Sequence, residues 1–392
     1  MGIRGERRLV LLVAAVVFVD TMFYAAIAPL LPTLAHQLDL SKLSAGVLTA
    51  SYPIGMLLGS LPGGLMVIRT GPRFTVCAGL ALLAGSTLAF GFLNNAAALD
   101  AARFVEGLGG ACSWAGGLAW IVAEAPVERR GELIGNAIGA AIGGALFGPV
   151  IGTIATAAGR AITFSALVVL AFALIAWARR EPSERTASPQ GMRELRGAMR
   201  NRGMVLALWL VSVPAIASGL ISVLGPLRLH ELGAGAVVIG ATWLTATGIE
   251  ALISPLVGRL SDRRGRVLPM QFGLAAAVVV LLCFPLPTSV AVLAAVIIGT
   301  SVALAAFWAP GMALLSDEAE RGGLDQALAA ALMNIAWAGG QVLGSAGGGA
   351  AAKATSDAVP VTVAAALFAL TLVLITRPAL TRLAPRRRAD LT

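Results

Sequence analysis

Hydrophobic positions in this chain fall in long runs, not in alternation with polar ones. Twelve segments, 9–32, 43–68, 74–92, 97–123, 133–157, 162–177, 205–227, 236–257, 267–284, 290–315, 327–352 and 359–376, are predominantly apolar over 16 to 27 residues each. A helix rising 1.5 Å per residue crosses a hydrocarbon core about 30 Å thick in roughly 20 residues, so each run predicts one membrane-crossing helix. A membrane barrel would instead alternate polar and apolar residues. The predicted fold class is an all-α membrane protein with twelve transmembrane helices. Six runs precede and six follow residues 179–203, a polar stretch rich in arginine that carries Pro182 and Pro189. This predicts a six-helix bundle over 1–178, a linker over 179–203, a second bundle over 204–377 and a basic tail over 378–392. The first run continues to Pro32 without a small-residue cleavage site after a short core, so a retained span is expected here and not a cleaved signal peptide.

Composition agrees with this pattern. Hydrophobic residues make up 58% of the 392, charged residues 12%, and the mean hydropathy is +0.86, against about 45–50% and about 25% in an ordinary soluble domain. Forty-six glycines suit helices that must approach closely where lipid supplies no hydrophobic drive. Cys77, Cys112 and Cys283 all lie in apolar runs and read as packing residues, with neither a disulfide framework nor a metal cluster indicated.

The net charge of +9 raises nucleic-acid binding as a possibility, and the placement of the charges argues against it. Counting loops alternately, 24 arginines fall on the side that holds both termini and the central linker, while Lys42, Arg160, Arg228 and Lys353 fall on the other. That asymmetry is the positive-inside rule. It predicts an inner (plasma) membrane protein with both termini cytoplasmic and no nucleic-acid partner. Lys42 and Lys353 are the only lysines and neither follows glycine, so the chain has no Walker A phosphate loop. No cofactor, metal site or enzymatic nucleophile elbow is indicated.

A repeat supports the division into halves. Gly64-Leu-Met-Val-Ile-Arg69-Thr-Gly71-Pro-Arg73 follows the second run, and Gly258-Arg-Leu-Ser-Asp262-Arg263-Arg-Gly265-Arg266 follows the eighth, with first glycines 258 − 64 = 194 residues apart. Both resemble the loop motif G-x-x-x-D-R/K-x-G-R-R/K of the major facilitator superfamily. The first copy is degraded, with Ile68 at the acidic position and Pro72 at a basic one. In the fourth run, Leu99 through Arg103, Glu106, Gly107 and Gly109 resemble l-x-x-x-R-x-x-q-G-x-g, with Glu106 where glutamine is usual. In the fifth, Gly144-Ala-Leu-Phe-Gly148-Pro149-Val-Ile-Gly152 fits G-x-x-x-G-P-x-x-G without a gap. That motif is associated with antiporters of the superfamily. The first run, Asp20 through Tyr24, Pro29 and Pro32, is similar to that of vesicular monoamine and multidrug carriers, although Asn334 and Ala305 replace acidic residues of the monoamine carriers. The resemblance covers essentially the whole chain and points to the twelve-span drug:proton antiporter branch. It implies two pseudo-symmetric six-helix bundles, with a binding site between them at mid-membrane. It also implies that the loop residues Gly64, Arg69, Gly71, Arg73, Gly258, Asp262, Arg263, Gly265 and Arg266 act in gating.

Ionisable groups inside a span cost about 2.5–3.5 kcal/mol at a helix centre on insertion scales, which makes each a functional candidate. Four stand out: Asp20, Arg103, Glu106 and Glu250. Asp20 lies mid-span with Tyr24 one turn on and on the same face. A carboxylate in a low-dielectric cavity favours its neutral form and a nearby cation reverses that, so Asp20 can exchange a proton for a cationic solute, or simply tie two helices together. Arg103 and Glu106, at i and i+3, can pair as a local clamp, or tune protonation as the cavity opens. Glu250 is a candidate second proton carrier or an anchor for the loop at Asp262. Gly144, Gly148 and Gly152 form a groove for another backbone, and Pro149 bends the helix. Gly55, Gly59 and Gly63 read as plain packing. Trp308 and Asn334, with Asp20 and Tyr24, are the expected substrate contacts. Trp114, Trp120, Phe307, Trp337 and Gln341 are weaker candidates for the cavity wall.

Together these features predict a monomeric secondary transporter performing proton-coupled efflux of a small lipophilic, cationic or zwitterionic solute by alternating access, its partners being that solute, protons and membrane lipid. Two alternatives stay open: a facilitator or importer of a small metabolite such as an amino acid, sugar or nucleoside, and a non-transporting sensor or scaffold.

Overall fold

A computed structural model describes residues 3–124, 129–183, 197, 199–324 and 326–376. The described chain is nearly all helix. Span 1 is two helices, Ile3–Ala25 and Ile27–Gln37. Spans 2 to 6 are Lys42–Thr70, Pro72–Phe92, Ala96–Glu124, Arg130–Ala158 and Arg160–Ala178. Spans 7 to 10 are Arg202–Glu231, Ala236–Arg264, Val267–Cys283 and Val290–Arg321. Span 11 is Gln326–Val342, a π turn at Leu343–Gly347 and Gly348–Ala354, and span 12 is Ala358–Thr376. Nine of the described helices are long and apolar enough to cross a membrane. The other three crossings are span 4, diluted by glycine and four charged residues, span 9, only 17 residues long, and the interrupted span 11. Of the expected linker, 184–196 and 198 lie outside the described residues, as do the tail 378–392 and the side chain of Asp262.

Local signals set most boundaries. Ser41, Asn201 and Ser289 cap spans 2, 7 and 10 by accepting from Ser44, Gly203 and Val292 backbone N–H groups. Gly71 and Gly265 turn the chain between spans 2 and 3 and between spans 8 and 9 with φ of +89° and +90°. That left-handed conformation suits glycine, which explains why the loop motif keeps glycine in both copies, 265 − 71 = 194 residues apart.

Packing repeats between the halves in the same register. In the first half span 2 packs on span 4, span 1 on span 5, and span 3 on spans 4 and 6. In the second half span 8 packs on span 10, span 7 on span 11, and span 9 on spans 10 and 12. Individual glycines carry this symmetry. Gly79 abuts Gly109 and Ser113, and Gly273 abuts Ala303 and Phe307, each residue 194 beyond its counterpart. Large apolar side chains such as Leu252, Phe272, Phe172 and Val363 lie exposed on the outside, a surface suited to hydrocarbon.

Across the halves, span 2 meets span 11, span 8 meets span 5, and span 1 meets span 7. The tightest approaches lie at the end of the molecule opposite the termini. A Cβ on Gly46 would stand 2.4 Å from the Ser345 carbonyl, and one on Gly240 2.1 Å from Thr153 Oγ1; here too 240 − 46 = 194. Lys42 Nζ, one turn further out, donates to Asp357 Oδ1 and Oδ2 at 2.8 and 2.9 Å and lies 3.5 Å from Glu231. Both acids belong to the other half.

The glycines therefore differ sharply in tolerance. A Cβ on Gly55 would meet the Phe104 carbonyl at 2.0 Å, whereas nothing lies within 4 Å of one on Gly64. Gly55→Ala is expected to lower stability by about 1–3 kcal/mol through overpacking, and Gly64→Ala to leave it unchanged, as read by thermal unfolding in detergent. Equal midpoints would contradict the packing described.

Candidate functional site

The first span breaks at Ala26 because Pro29, one turn later, has no N–H to give the Ala25 carbonyl. Ala26 N–H bonds back only to Phe23, at 3.3 Å. Backbone carbonyls beside such a break have no water at membrane depth and depend on partners from the protein. Arg103 on span 4 reaches two of them: its terminal nitrogens donate to the Phe23 and Tyr24 carbonyls at 3.3 and 3.2 Å, the first of which also accepts from Ala26. The same guanidinium donates to both carboxylate oxygens of Glu106, at 3.1 and 3.0 Å. Arg103 and Glu106 are each 2% exposed, so the pair expected from their i, i+3 spacing forms and is fully buried.

Aromatic rings connect this pair to Asp20. The guanidinium carbon of Arg103 lies 5.4 Å from the centre of the Tyr52 ring and 6.0 Å from that of Tyr24. Tyr52 Oη donates to Asp20 Oδ2 at 2.9 Å, and Trp114 Nε1 donates to the same oxygen at 3.0 Å. Gly110 makes room for both, since a Cβ there would stand 2.6 Å from Tyr52 Oη and 2.8 Å from Asp20 Oδ1. Asp20 is 1% exposed, and its Oδ1 has no hydrogen-bond partner among the described residues. In this conformation Asp20 is sealed beneath Tyr52 and Trp114, which departs from the expected open contact with a solute. A small cavity of about 10 Å³ borders Arg103, Glu106 and Thr87 and does not reach Asp20; it has the volume of about one water.

Tyr24 shares a helix face with Asp20 yet has different neighbours. Its ring stacks on Tyr52 at 4.8 Å and meets the edge of Trp337, from the opposite half, at 5.4 Å. Trp114, Trp337, Tyr24 and Leu57 surround buried Tyr52, Met56, Ala111 and Ala338, making one aromatic cluster across the halves.

The Gly-Pro motif of span 5 lies directly against the first span. Cβ atoms on Gly144, Gly148 and Gly152 would stand 2.2 Å from the Phe18 carbonyl, 2.4 Å from Ala25 Cβ and 2.1 Å from the Ala26 carbonyl. These glycines let span 5 follow span 1 through its break. On its other side Pro149 and Thr153 meet Gly240 of span 8, so span 5 is held between a partner in its own half and one in the other. The second half carries a copy that sequence reasoning passed over. Gly340, Gly344 and Gly348 abut Ser212, Ile216 and Leu220; the glycines lie 196 residues beyond Gly144, Gly148 and Gly152, and their partners 194 beyond Phe18, Met22 and Ala26, a repeat visible in the glycine spacing alone.

The remaining expected residues are dispersed. Glu250 sits midway along span 8, partly exposed and beside the Trp308 indole, 14 residues from each helix end. Asn334 is partly exposed on span 11. Phe307, Trp120 and Gln341 are buried and pack inside their own halves. Arg73 donates to the Glu181 carbonyl and Arg266 to Asp317 Oδ1, at 3.3 and 2.9 Å, both within one half; Arg69 and Arg263 are exposed, and Gly64 and Gly258 face open space. Among the described residues no three of His, Cys, Asp and Glu gather as metal ligands.

A helical pair of bundles, glycine-backed spans and two loop repeats is the combination that a family model described as Major Facilitator Superfamily matches, over residues 13–299 and again over 215–391. The chain belongs to the Major Facilitator Superfamily. Two solved superfamily structures share its fold. A bacterial homologue of the human lysosomal transporter Spinster, in an inward-facing and unoccupied conformation, has a TM-score of 0.75 at 13% identity, covering 95% of this chain and 96% of that one. The xylose transporter XylE of E. coli, partially occluded and inward-open, has a TM-score of 0.74 at 16% identity, with 95% and 98% covered. Curated relatives match over shorter segments. The 4-hydroxybenzoate transporter PcaK of Pseudomonas putida is 30% identical over 106 residues, 27% of this chain and 24% of the relative. A probable vesicular acetylcholine transporter-B of Danio rerio is 32% identical over 127 residues, 30% and 26% respectively. The matched segments thus span about a quarter of these superfamily relatives' own length.

Breaking a buried ion pair from one side leaves an uncompensated charge, at about 3–5 kcal/mol, whereas removing both charges is milder. Arg103→Met is therefore expected to lose most of its thermal stability in detergent, and Arg103→Met/Glu106→Leu to recover part of it while staying below the parent, because the Phe23 and Tyr24 carbonyls lose the guanidinium bonds. A double variant no more stable than the single one would show that the pair does not act as described.

Proposed function

We propose that this superfamily member is a proton-coupled antiporter that exports a small lipophilic solute, cationic or zwitterionic, by alternating access. The supporting observation is the linked set Asp20–Tyr52–Arg103–Glu106, packed against the break in span 1 and backed by the glycines of span 5. Two buried carboxylates on either side of one fixed guanidinium cannot ionise independently, since each competes for the same positive charge. A change in the packing of Tyr52 or Trp114 alters that competition. Asp20 carries the proton in this scheme, with Glu106 and Glu250 as further candidates.

The closed end at Lys42, Asp357 and Glu231 fits a conformation open toward the termini, which we place in the cytoplasm of an inner-membrane protein acting as a monomer. The two bundles, 1–178 and 204–377, joined by the 179–203 linker, then rock about the span 2–span 11 and span 5–span 8 contacts. Release of Lys42 would open the far side, with the loop residues around Asp262 and Arg266 closing the near one. For a zwitterionic solute the potential alone supplies about 2.3 kcal/mol per proton per 100 mV, roughly a fortyfold gradient, whereas one-for-one exchange with a monovalent cation moves no net charge and draws on the pH difference.

The relatives named for 4-hydroxybenzoate and for acetylcholine pull toward opposite charges. A facilitator or importer of a metabolite anion is the second reading, and it needs a cation free to bind a carboxylate. At this site the cation is Arg103, already held by Glu106 and two carbonyls, so the acidic site favours a cation.

A substrate found by thermal-shift screening would be added to vesicles holding an inward-acidic proton gradient. Dissipation of the gradient by the parent chain and its loss in Asp20→Asn are expected; unchanged exchange in Asp20→Asn would remove Asp20 from the mechanism, and inward accumulation insensitive to proton collapse would favour the importer.

A further inference from the structure

A transported solute needs a surface it can touch, and sealed Asp20 offers none. Glu250 is placed differently. The lipid-facing side of span 8 is marked by Val237, Leu252 and Leu256, at 70%, 76% and 56% exposed. At 3.6 residues per turn Glu250 points about 160° away from Leu252, on the side occupied by buried Ile239 and Ala246. It faces inward yet remains partly exposed, as expected of a residue bordering a crevice between the halves. Trp308 of span 10 sets its indole beside this carboxylate and is also partly exposed.

The internal register locates that crevice. Glu250 and Trp308 lie 250 − 56 = 194 and 308 − 114 = 194 residues beyond Met56 and Trp114. Met56 and Trp114 belong to the aromatic cluster at which the first half meets Trp337 and Ala338 of the second. By pseudo-symmetry Glu250 and Trp308 occupy the matching face of the second half, with a carboxylate where the first half has a thioether.

We infer that Glu250 and Trp308 form a binding subsite for an organic cation on the C-terminal wall of the crevice, separate from the sealed carboxylate at Asp20. The inference rests on the transporter reading above. The carboxylate supplies the counter-charge, and an ionised carboxyl group has capacity to accept several bonds from an ammonium. The indole face supplies a surface for a cation or flat ring. Roles then divide: a reachable acid for the solute, an enclosed one for the proton.

Ethidium, a fluorescent aromatic cation, would be titrated against the full chain in nanodiscs by fluorescence anisotropy, with empty nanodiscs as the blank. Glu250→Gln is expected to raise Kd at least about tenfold, the loss of one charge-assisted contact, and exposed Glu320→Gln to leave it within about twofold. Trp308→Leu is expected to weaken binding as well, and it decides the question if Glu250→Gln fails to fold by its thermal midpoint. Unchanged affinity in a folded Glu250→Gln, unchanged affinity in Trp308→Leu, or no ethidium binding by the parent chain would each overturn the subsite. The vesicle experiment separates the two readings. Exchange that survives in Asp20→Asn removes the coupling scheme while a Glu250 effect on ethidium stands; unchanged ethidium affinity in Glu250→Gln, with exchange lost in Asp20→Asn, removes the subsite alone.

Discussion

At membrane depth a carbonyl without an internal partner, or a charge without a counter-charge, has no water to satisfy it. Span 1 creates that problem at Ala26, where the helix breaks ahead of Pro29 beside the Phe23 and Tyr24 carbonyls. Arg103 answers it from span 4. A guanidinium stays charged at any accessible pH, so capping the break brings a permanent positive charge into the core, and Glu106 must stand beside it. Tyr52 then covers the cation with its ring and directs its hydroxyl at Asp20. Each group stands beside the one whose charge or polar atom it satisfies, and the series starts at the break in span 1.

The same break dictates the packing around it. A discontinuous helix can be followed closely only by a neighbour with no side chains in the way, and Gly144, Gly148 and Gly152 give span 5 that freedom. Close backbone contact is also what two halves require if they are to shift without opening a leak, and Gly46 and Gly240 provide it at the closed end. Lys42 adds a charge tie between the halves there. At the other end Arg73 and Arg266 bond within their own halves. One face is thus latched across the halves, while these arginines on the other leave theirs independent.

Much of this was legible in the chain. Twelve apolar runs, a 194-residue repeat and the Gly-Pro motif are local or periodic features, and helix periodicity turns them directly into structure; Arg103 and Glu106 pair because i, i+3 neighbours on a helix must be close. What covers Asp20 was not legible. Tyr52 and Trp114 come from 32 and 94 residues away, and no periodicity within one helix says which rings of spans 2 and 4 will meet a given carboxylate of span 1. Tyr24 shows the limit of face-sharing, since it lies on the Asp20 face but its ring packs on Tyr52 and on Trp337 of the other half. The break in span 1 and the π turn in span 11 were likewise hidden inside continuous apolar runs, although Pro29 was a signal for the first.

The internal symmetry is a symmetry of packing and not of chemistry. Carried forward by 194 residues, Asp20, Tyr52, Arg103 and Glu106 fall on Pro214, Ala246, Ile297 and Thr300, of which Ala246, Ile297 and Thr300 are buried. The second half keeps the glycine contacts and discards the enclosed charges. It then places one carboxylate, Glu250, at the position of Met56, partly exposed. A fold that needed charge only for its own stability would have no reason to remove it from one sealed core and set it on the opposing wall. That asymmetry follows if the two halves divide the work, with the protonation equilibrium protected in the first and the solute met in the second, so that coupling between them passes through the aromatic cluster of Tyr24, Trp114 and Trp337 where the halves touch.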